Sequence, residues 1–189
     1  FALDLIGRTD LLGLLARESS RKASRPPTRS GLLAIAVDQA SNALSRRGQS
    51  LEAGLLKEYG ALIAAEFALH QLKTHEDVVL DGAWPDLVHR AVRRRWGRSH
   101  MKESPPSSLD FAVLHVRLLE IGFLARRGDG VALSMQSVLP LALGLEVLDD
   151  EENADLLLDA AFDPTWHGAL EAMAEADDAA DRPLRYLLD

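Results

Sequence analysis

The sequence predicts a mainly α-helical protein that contains one small β-hairpin. Leucine and alanine dominate the 189 residues and aromatic residues make up only 5%, a composition that favours helices over sheets. Apolar residues recur with a helical period along most of the chain. The exception is GFLARRGDGVALS (122–134), where two short extended segments, 123–127 and 131–134, flank a Gly-Asp-Gly sequence typical of a hairpin turn.

The apolar periodicity and the helix-ending residues predict where each element begins and ends. Gly48 suits the position that follows a helix, Gly122 ends another, and Ser107 or Ser108 can cap its start. A β-branched run at 78–80 predicts a short strand. The longest helix should bury one stripe formed by Leu51, Leu55, Leu62, Ala65, Leu69 and Leu72. Helices are therefore expected at 31–47, 51–73, 83–96, 109–122, 135–148, 150–162 and 163–181.

Composition along the chain divides it into four segments. Residues 1–17 form an amphipathic N-terminal helix, and 18–30, with Pro26 and Pro27, read as a flexible basic linker. Residues 31–148 form the core and 149–189 an acidic helical C-terminal segment. The chain has no cysteine and no apolar run of the ~20 residues that cross a bilayer. A cytoplasmic location without membrane association is therefore expected.

The order of elements over 51–134 resembles a known superfamily. It runs helix, short strand, helix, helix, strand, glycine turn, strand, and its most specific part is LHVRLLEIGFLARRGDGVALS (114–134). This layout is similar to the winged helix-turn-helix superfamily and covers less than half of the chain. The resemblance implies a winged-helix core with the hairpin as its wing and extra flanking helices. It also implies nucleic-acid binding or protein assembly, because winged helices serve both.

Two features argue against sequence-specific reading of DNA by this core. The stretch 98–106, with Pro105-Pro106, is longer than a tight helix-turn-helix turn, which disfavours standard docking in the major groove. The helix in the position of a recognition helix, 109–121, has only four polar residues, whereas a base-reading helix needs several on one exposed face. Because it is apolar nearly all round, this helix is predicted to be buried on more than one side.

The basic stretch HRAVRRRWGRSHMK (89–102) stands out in a chain of net charge −8. It contains five arginines and one lysine but no carboxylate. Helical rotation of about 100° per residue places Arg90, Arg93 and Arg94 on the face opposite the apolar one. Arg95 would fall within the apolar face, so either the helix frays there or the side-chain stem extends toward solvent. The apolar face itself is expected to contain Trp84, Leu87, Val88, Ala91 and Val92.

These charges predict a non-enzymatic, bacterial-type nucleic-acid-binding protein that contacts the DNA or RNA backbone with little sequence specificity. Two other interpretations remain open: a solvated helix face, and cover by the acidic C-terminal end, since 128–189 hold 15 acidic and two basic residues. The alternative function is an adaptor or assembly subunit that binds a protein partner or forms a homo-oligomer through its apolar helices and C-terminal tail. The candidate nucleic-acid-binding residues are Arg90, Arg93, Arg94, Arg98, Lys102, Arg117, Arg126 and Arg127.

The sequence contains no combination of residues that would assign catalytic roles. Glu66 and His70 lie one helical turn apart, but no HExxH motif accompanies them. His70 is therefore expected to be a structural histidine. No phosphate-binding glycine loop and no GxSxG motif occur. We accordingly expect no catalytic residue, no cofactor and no metal site.

Overall fold

The computed structural model describes residues 29–98, 105–146, 151–160 and 162–176. These residues form seven α-helices and one three-stranded antiparallel sheet, so the expected mainly α class is confirmed. Predictions for 1–28, 99–104, 147–150, 161 and 177–189 lie outside the described residues. The elements are α1 (Arg29–Arg46), α2 (Ser50–Thr74), β1 (Val79–Leu80), α3 (Trp84–Arg98), α4 (Ser108–Glu120), β2 (Leu124–Arg127), β3 (Gly130–Leu133), α5 (Leu139–Glu146), α6 (Glu151–Asp159) and α7 (His167–Ala176).

The chain divides into two compact units. One is Val37–Ser134, and the other combines the described parts of Phe1–Ala36 and Met135–Asp189. The predicted core, 31–148, thus spans both units, because α5 packs with the C-terminal helix α7. This packing is close: a Cβ atom on Gly144 would lie only 2.0 Å from the carbonyl oxygen of Ala169. Trp166, which precedes α7, is buried.

Helix α2 is the centre of Val37–Ser134 and packs against α3, α4 and β3. It is apolar on nearly all sides, as expected for a helix that other elements surround. Five of the six residues predicted for its buried stripe are buried; Leu51 is wrong, with 61% of its surface exposed in the first turn of the helix. Gly60 allows α1 to approach, since a Cβ atom there would lie 3.0 Å from Val37.

The hairpin and β1 form the sheet, in the order β1-β3-β2. Leu124 pairs with Leu133 and Arg127 with Gly130, while Val79 pairs with Val131. The hairpin turn contains two residues, of which Gly128 has a φ of +59°. The second predicted turn glycine, Gly130, instead belongs to β3, where a Cβ atom would lie 2.4 Å from the carbonyl oxygen of Val79. Gly130 is thus required by strand pairing.

Helix α4 begins and ends with the signals read from the sequence. The Ser107 side chain accepts a hydrogen bond from the Asp110 amide, and the Asp110 side chain accepts one from the Ser107 amide, which makes a capping box. Gly122, with a φ of +73°, follows the last turn. Across the described ranges, no helix is both long and apolar enough to cross a membrane.

The prediction that α4 is buried on more than one side is wrong. Only Phe111, Leu114 and Leu118 are buried along it. These residues face α2, α3 and β2, with which α4 packs. The opposite side has no covering element among the described residues of its unit, so apolar side chains there are exposed to solvent.

Candidate functional site

Two arginines of α3 share one buried carboxylate of α2. Arg90 and Arg94 lie one helical turn apart and both reach Glu66, whose side chain is only 2% exposed. The Arg90 Nε donates a hydrogen bond of 2.6 Å to Oε2, and the Arg94 Nε lies 2.9 Å from Oε1. A buried charge is tolerated only when it is paired. Arg90 and Arg94 therefore hold α3 against α2.

Arg95 keeps its charge at the surface of the same helix. The helix continues to Arg98, so α3 does not fray at this position. The Arg95 side chain is exposed, and its Nε lies 3.7 Å from Oε1 of Glu58. Of the two possibilities left by the sequence, the structure has the extended stem with its charged end outside the core.

The arginines of the hairpin are also paired with carboxylates of this chain. Arg126 contacts Asp81 and Arg127 contacts Asp77. The two arginines of β2 thus pair with the aspartates that precede and follow β1. In α4, Nη1 of Arg117 lies 2.9 Å from Oε1 of Glu120, whose pKa this hydrogen bond lowers. Charge pairing thus extends from α3 to the hairpin.

Arg93 differs from these residues. It is exposed on α3 and makes no ion pair with any residue that the structure describes. The side chain of Arg98, and all of Lys102, lie outside what is described. Of the eight predicted nucleic-acid-binding residues, five are thus paired with carboxylates of their own chain: Arg90, Arg94, Arg117, Arg126 and Arg127.

The partner carboxylates were not found by sequence reasoning, which looked to the acidic C-terminal end. They come instead from α2, from the segment around β1 and from α4. One signal was present in the sequence: Glu66 interrupts the apolar run ALIAAEFALH, and a carboxylate inside a core helix requires a cationic partner. The idea that 149–189 covers the basic residues stays a prediction.

An apolar strip runs along the uncovered side of α4; we call it the α4 face and define it as Leu109, Ala112, Val113 and Val116. Their spacing of three and four residues puts them on one side of the helix. Leu109 is 75% exposed, Val113 46% and Val116 52%, and Ala112 is exposed as well. A continuous apolar strip at a protein surface is typical of a binding site for another macromolecule.

A groove between α3 and the start of α4 borders this strip; we call it the α3–α4 groove. It has a volume of about 510 Å³, and Ala112 belongs to both its wall and the α4 face. Val88, Val92 and Phe111 form a buried floor. The described residues that line it are Trp84, Pro85, Asp86, Val88, His89, Val92, Arg93, Trp96, Pro105, Pro106, Ser108, Phe111 and Ala112.

Hydrogen bonds and ring contacts fix the aromatic lining of the groove. The Nε1 of Trp96 donates to the hydroxyl of Tyr59 over 3.3 Å, and that of Trp84 donates to the carbonyl of Phe111 over 3.3 Å. The Trp84 ring also stacks on His115, with ring centroids 4.6 Å apart. The groove is consequently a preformed feature with its polar indole atoms already satisfied.

Among the described residues, no group of three or more His, Asp or Glu side chains is arranged so that it could hold a metal ion. Glu66 pairs with arginines, and His70 donates through Nε2 to the carbonyl of Val78 at 3.0 Å. The two residues singled out as possible ligands therefore have structural partners, as expected for His70.

None of the protein-family models matches the chain, and neither curated proteins nor solved structures give a significant match.

Proposed function

We propose that this chain is a non-enzymatic adaptor or assembly subunit, in which residues 37–134 form a winged-helix module that binds another protein. Support for a winged helix comes from the order α2, β1, α3, α4, β2, β3 and from the sheet order β1-β3-β2. In this interpretation β2 and β3 are the wing, and α4 occupies the position of the recognition helix.

The observation that carries the proposal is the apolar character of the exposed side of α4. A helix that reads DNA presents Arg, Lys, Asn or Gln to the bases in the major groove. The exposed side of α4 instead presents Leu109, Val113 and Val116 to solvent. Five of the eight predicted nucleic-acid-binding residues meanwhile pair with carboxylates of their own chain. Removing the α4 face from water on binding a protein would contribute free energy through the hydrophobic effect.

The test is site-directed crosslinking. A photoreactive amino acid is placed at Val116 in the full chain inside its native cells, with the exposed Lys57 of α2 as the control position. A distinct crosslinked protein is expected from position 116 and not from 57, and it should disappear when Val113 is changed to Glu. Crosslinks that are equal at both positions, or that survive Val113→Glu, would contradict the proposal.

Nucleic-acid binding is the second candidate, and exposed Arg93 favours it. This guanidinium has no carboxylate partner among the described residues, and Arg90 remains 53% exposed although it is paired. A phosphate could replace the carboxylates of the surface pairs, because arginine binds both groups in the same geometry.

Binding of labelled duplex and single strands at low salt separates the two functions. A backbone binder loses affinity steeply as salt rises, and Arg93→Glu should weaken it much more than the charge-matched Lys57→Glu. Absence of binding, or equal effects of both variants, would exclude this candidate.

A further inference from the structure

The rim of the α3–α4 groove carries opposite charges at its two ends. Asp86 lies at the start of α3 and Arg93 two turns later, with His89 between them, and all three line the groove. Seven residues correspond to about 10.5 Å along a helix axis. The apolar floor between these two charged ends therefore has a direction defined by charge.

We propose that the groove receives an amphipathic helix of the protein partner, which lies antiparallel to α3. This inference rests on the proposed function and names the type of segment bound. The helix would insert apolar side chains at heptad spacing between α3 and α4. On its flank it would carry an acidic residue opposite Arg93 and a basic residue, one heptad later, opposite Asp86.

The antiparallel direction follows from two conditions taken together, namely charge complementarity to the rim and the dipole of the partner helix. Charge complementarity places the acid of the partner helix near the C-terminal part of α3 and its base near the N-terminal part. An acid is stabilised near the N-terminus of a helix and a base near its C-terminus. Both conditions are met only when the N-terminus of the partner helix lies beside Arg93.

The chemistry of the lining favours a helix over a nucleic acid in this groove. Three prolines, two tryptophans and Phe111 dominate its described lining, and among these described residues Arg93 is the only arginine or lysine. A strand of nucleic acid would require several cations that follow its phosphates. An amphipathic helix, by contrast, binds through a few apolar anchors in a hydrophobic groove.

The α4 face extends the same surface. Ala112 lines the groove and neighbours Leu109 and Val116 on the helix, so a docked helix could continue from the groove onto this strip. The continuation would add apolar area to the contact without further polar groups. The two surfaces would then act as one receptor.

The proposal is tested with two synthetic alanine-based helical peptides and the full chain. The first has leucines at heptad spacing, a glutamate near its N-terminus and an arginine one heptad later; the second exchanges the two charged residues. Fluorescence anisotropy of the labelled peptides gives their dissociation constants. The first peptide is expected to bind about tenfold more tightly, corresponding to two charge pairs of modest strength.

Exchanging the rim charges provides the decisive variant. The double change Asp86→Arg with Arg93→Asp keeps the net charge and should reverse the preference between the peptides. The matched control exchanges two exposed charges of α1, Asp38→Arg with Arg46→Asp, which do not line the groove. Circular dichroism of both variants confirms that the helices are retained.

Three outcomes would overturn the proposal: neither peptide binds, both bind equally, or the rim exchange leaves the preference unchanged. A peptide that fails to bind while Val113→Glu still abolishes the crosslink from position 116 refutes only the groove inference. If the chain without the Val113→Glu change gives no distinct crosslink from position 116, the proposed function itself is refuted. The two failures are thus distinguishable.

Discussion

Arg94 of α3 and Glu66 of α2 form an ion pair in which Nε and Oε1 lie 2.9 Å apart, with the arginine side chain 17% and the carboxylate 2% exposed. Arg90, one turn earlier, occupies the other oxygen. A carboxylate placed in the core of a helix pair is costly unless its charge is compensated. The spacing of the two arginines therefore serves the packing of α3 on α2.

Replacing Glu66 by Gln should lower the free energy of unfolding by about 3 kcal/mol. The substitution keeps the shape of the side chain but removes the charge that compensates the half-buried Arg94, and breaking one partner of a buried pair costs this order of free energy. Urea unfolding at neutral pH, followed by circular dichroism, measures the loss.

The matched control is Glu58→Gln. Its carboxylate is 37% exposed and faces Arg95 at 3.7 Å, so its removal should cost less than about 1 kcal/mol. Equal losses in the two variants would contradict the structural role assigned to Glu66.

The helices could be predicted from sequence because their signals are local. The period of the apolar residues, the capping residues at Ser107 and Asp110 and the glycines at 48 and 122 all act within a few residues of the element that they define. The partner of Arg90 could not be predicted this way, since Glu66 is 24 residues away. Pairing at that distance depends on how α2 and α3 pack.

The prediction of how α4 is buried was wrong for a related reason. The sequence shows that Leu109 and Val113 are apolar, but only the arrangement of the other helices and strands determines whether another element covers them. The same limit applies to the α3–α4 groove, whose walls come from two helices and from Pro105-Pro106. Its floor residues, such as Val88 and Val92, were predicted correctly as the apolar face of α3.

Adjacent residues of α4 should respond oppositely to substitution. Leu114 is fully buried and Val113 is 46% exposed. Leu114→Ala is expected to cost about 3 kcal/mol of unfolding free energy, as do other large-to-small changes in a core. Val113→Glu should change it by less than about 0.5 kcal/mol, which is the usual range for a surface position.

Thermal and urea unfolding of these two variants measure which side of α4 faces the core. If Val113→Glu destabilises the chain as much as Leu114→Ala, then an element covers the α4 face and the proposed binding surface does not exist.

Gly130→Ala should disrupt the sheet. The added Cβ atom would lie 2.4 Å from the Val79 carbonyl oxygen, so β1 and β3 could not keep their pairing.

Gly54→Ala is the matched control: it lies inside α2 with no atom within 4 Å of the added Cβ. Because alanine favours helix over glycine by about 1 kcal/mol, this control should stabilise the chain, and urea unfolding should show opposite signs for the two changes. Equal stabilisation by both would rule out the close approach at β1.

His115 should make stability depend on pH. Its burial lowers its pKa from 6.5, and the nearby Arg126 acts in the same direction, whereas Asp81 opposes them. The folded chain therefore takes up a proton on His115 less readily than the unfolded chain. Well above pH 6.5 both forms have a neutral imidazole; as pH falls through 6.5 toward the lowered pKa, the unfolded chain is protonated first and stability is lost.

The contribution of His115 is isolated with His115→Gln, which cannot be protonated. The loss of unfolding free energy between about pH 7.5 and about pH 5.5, measured with urea, should be smaller in the variant than in the original chain. The stacked contact with Trp84, at a centroid distance of 4.6 Å, also predicts that protonation alters the fluorescence of that tryptophan. An unchanged pH dependence in His115→Gln would show that other groups cause the acid sensitivity and that the imidazole titrates alike in both states.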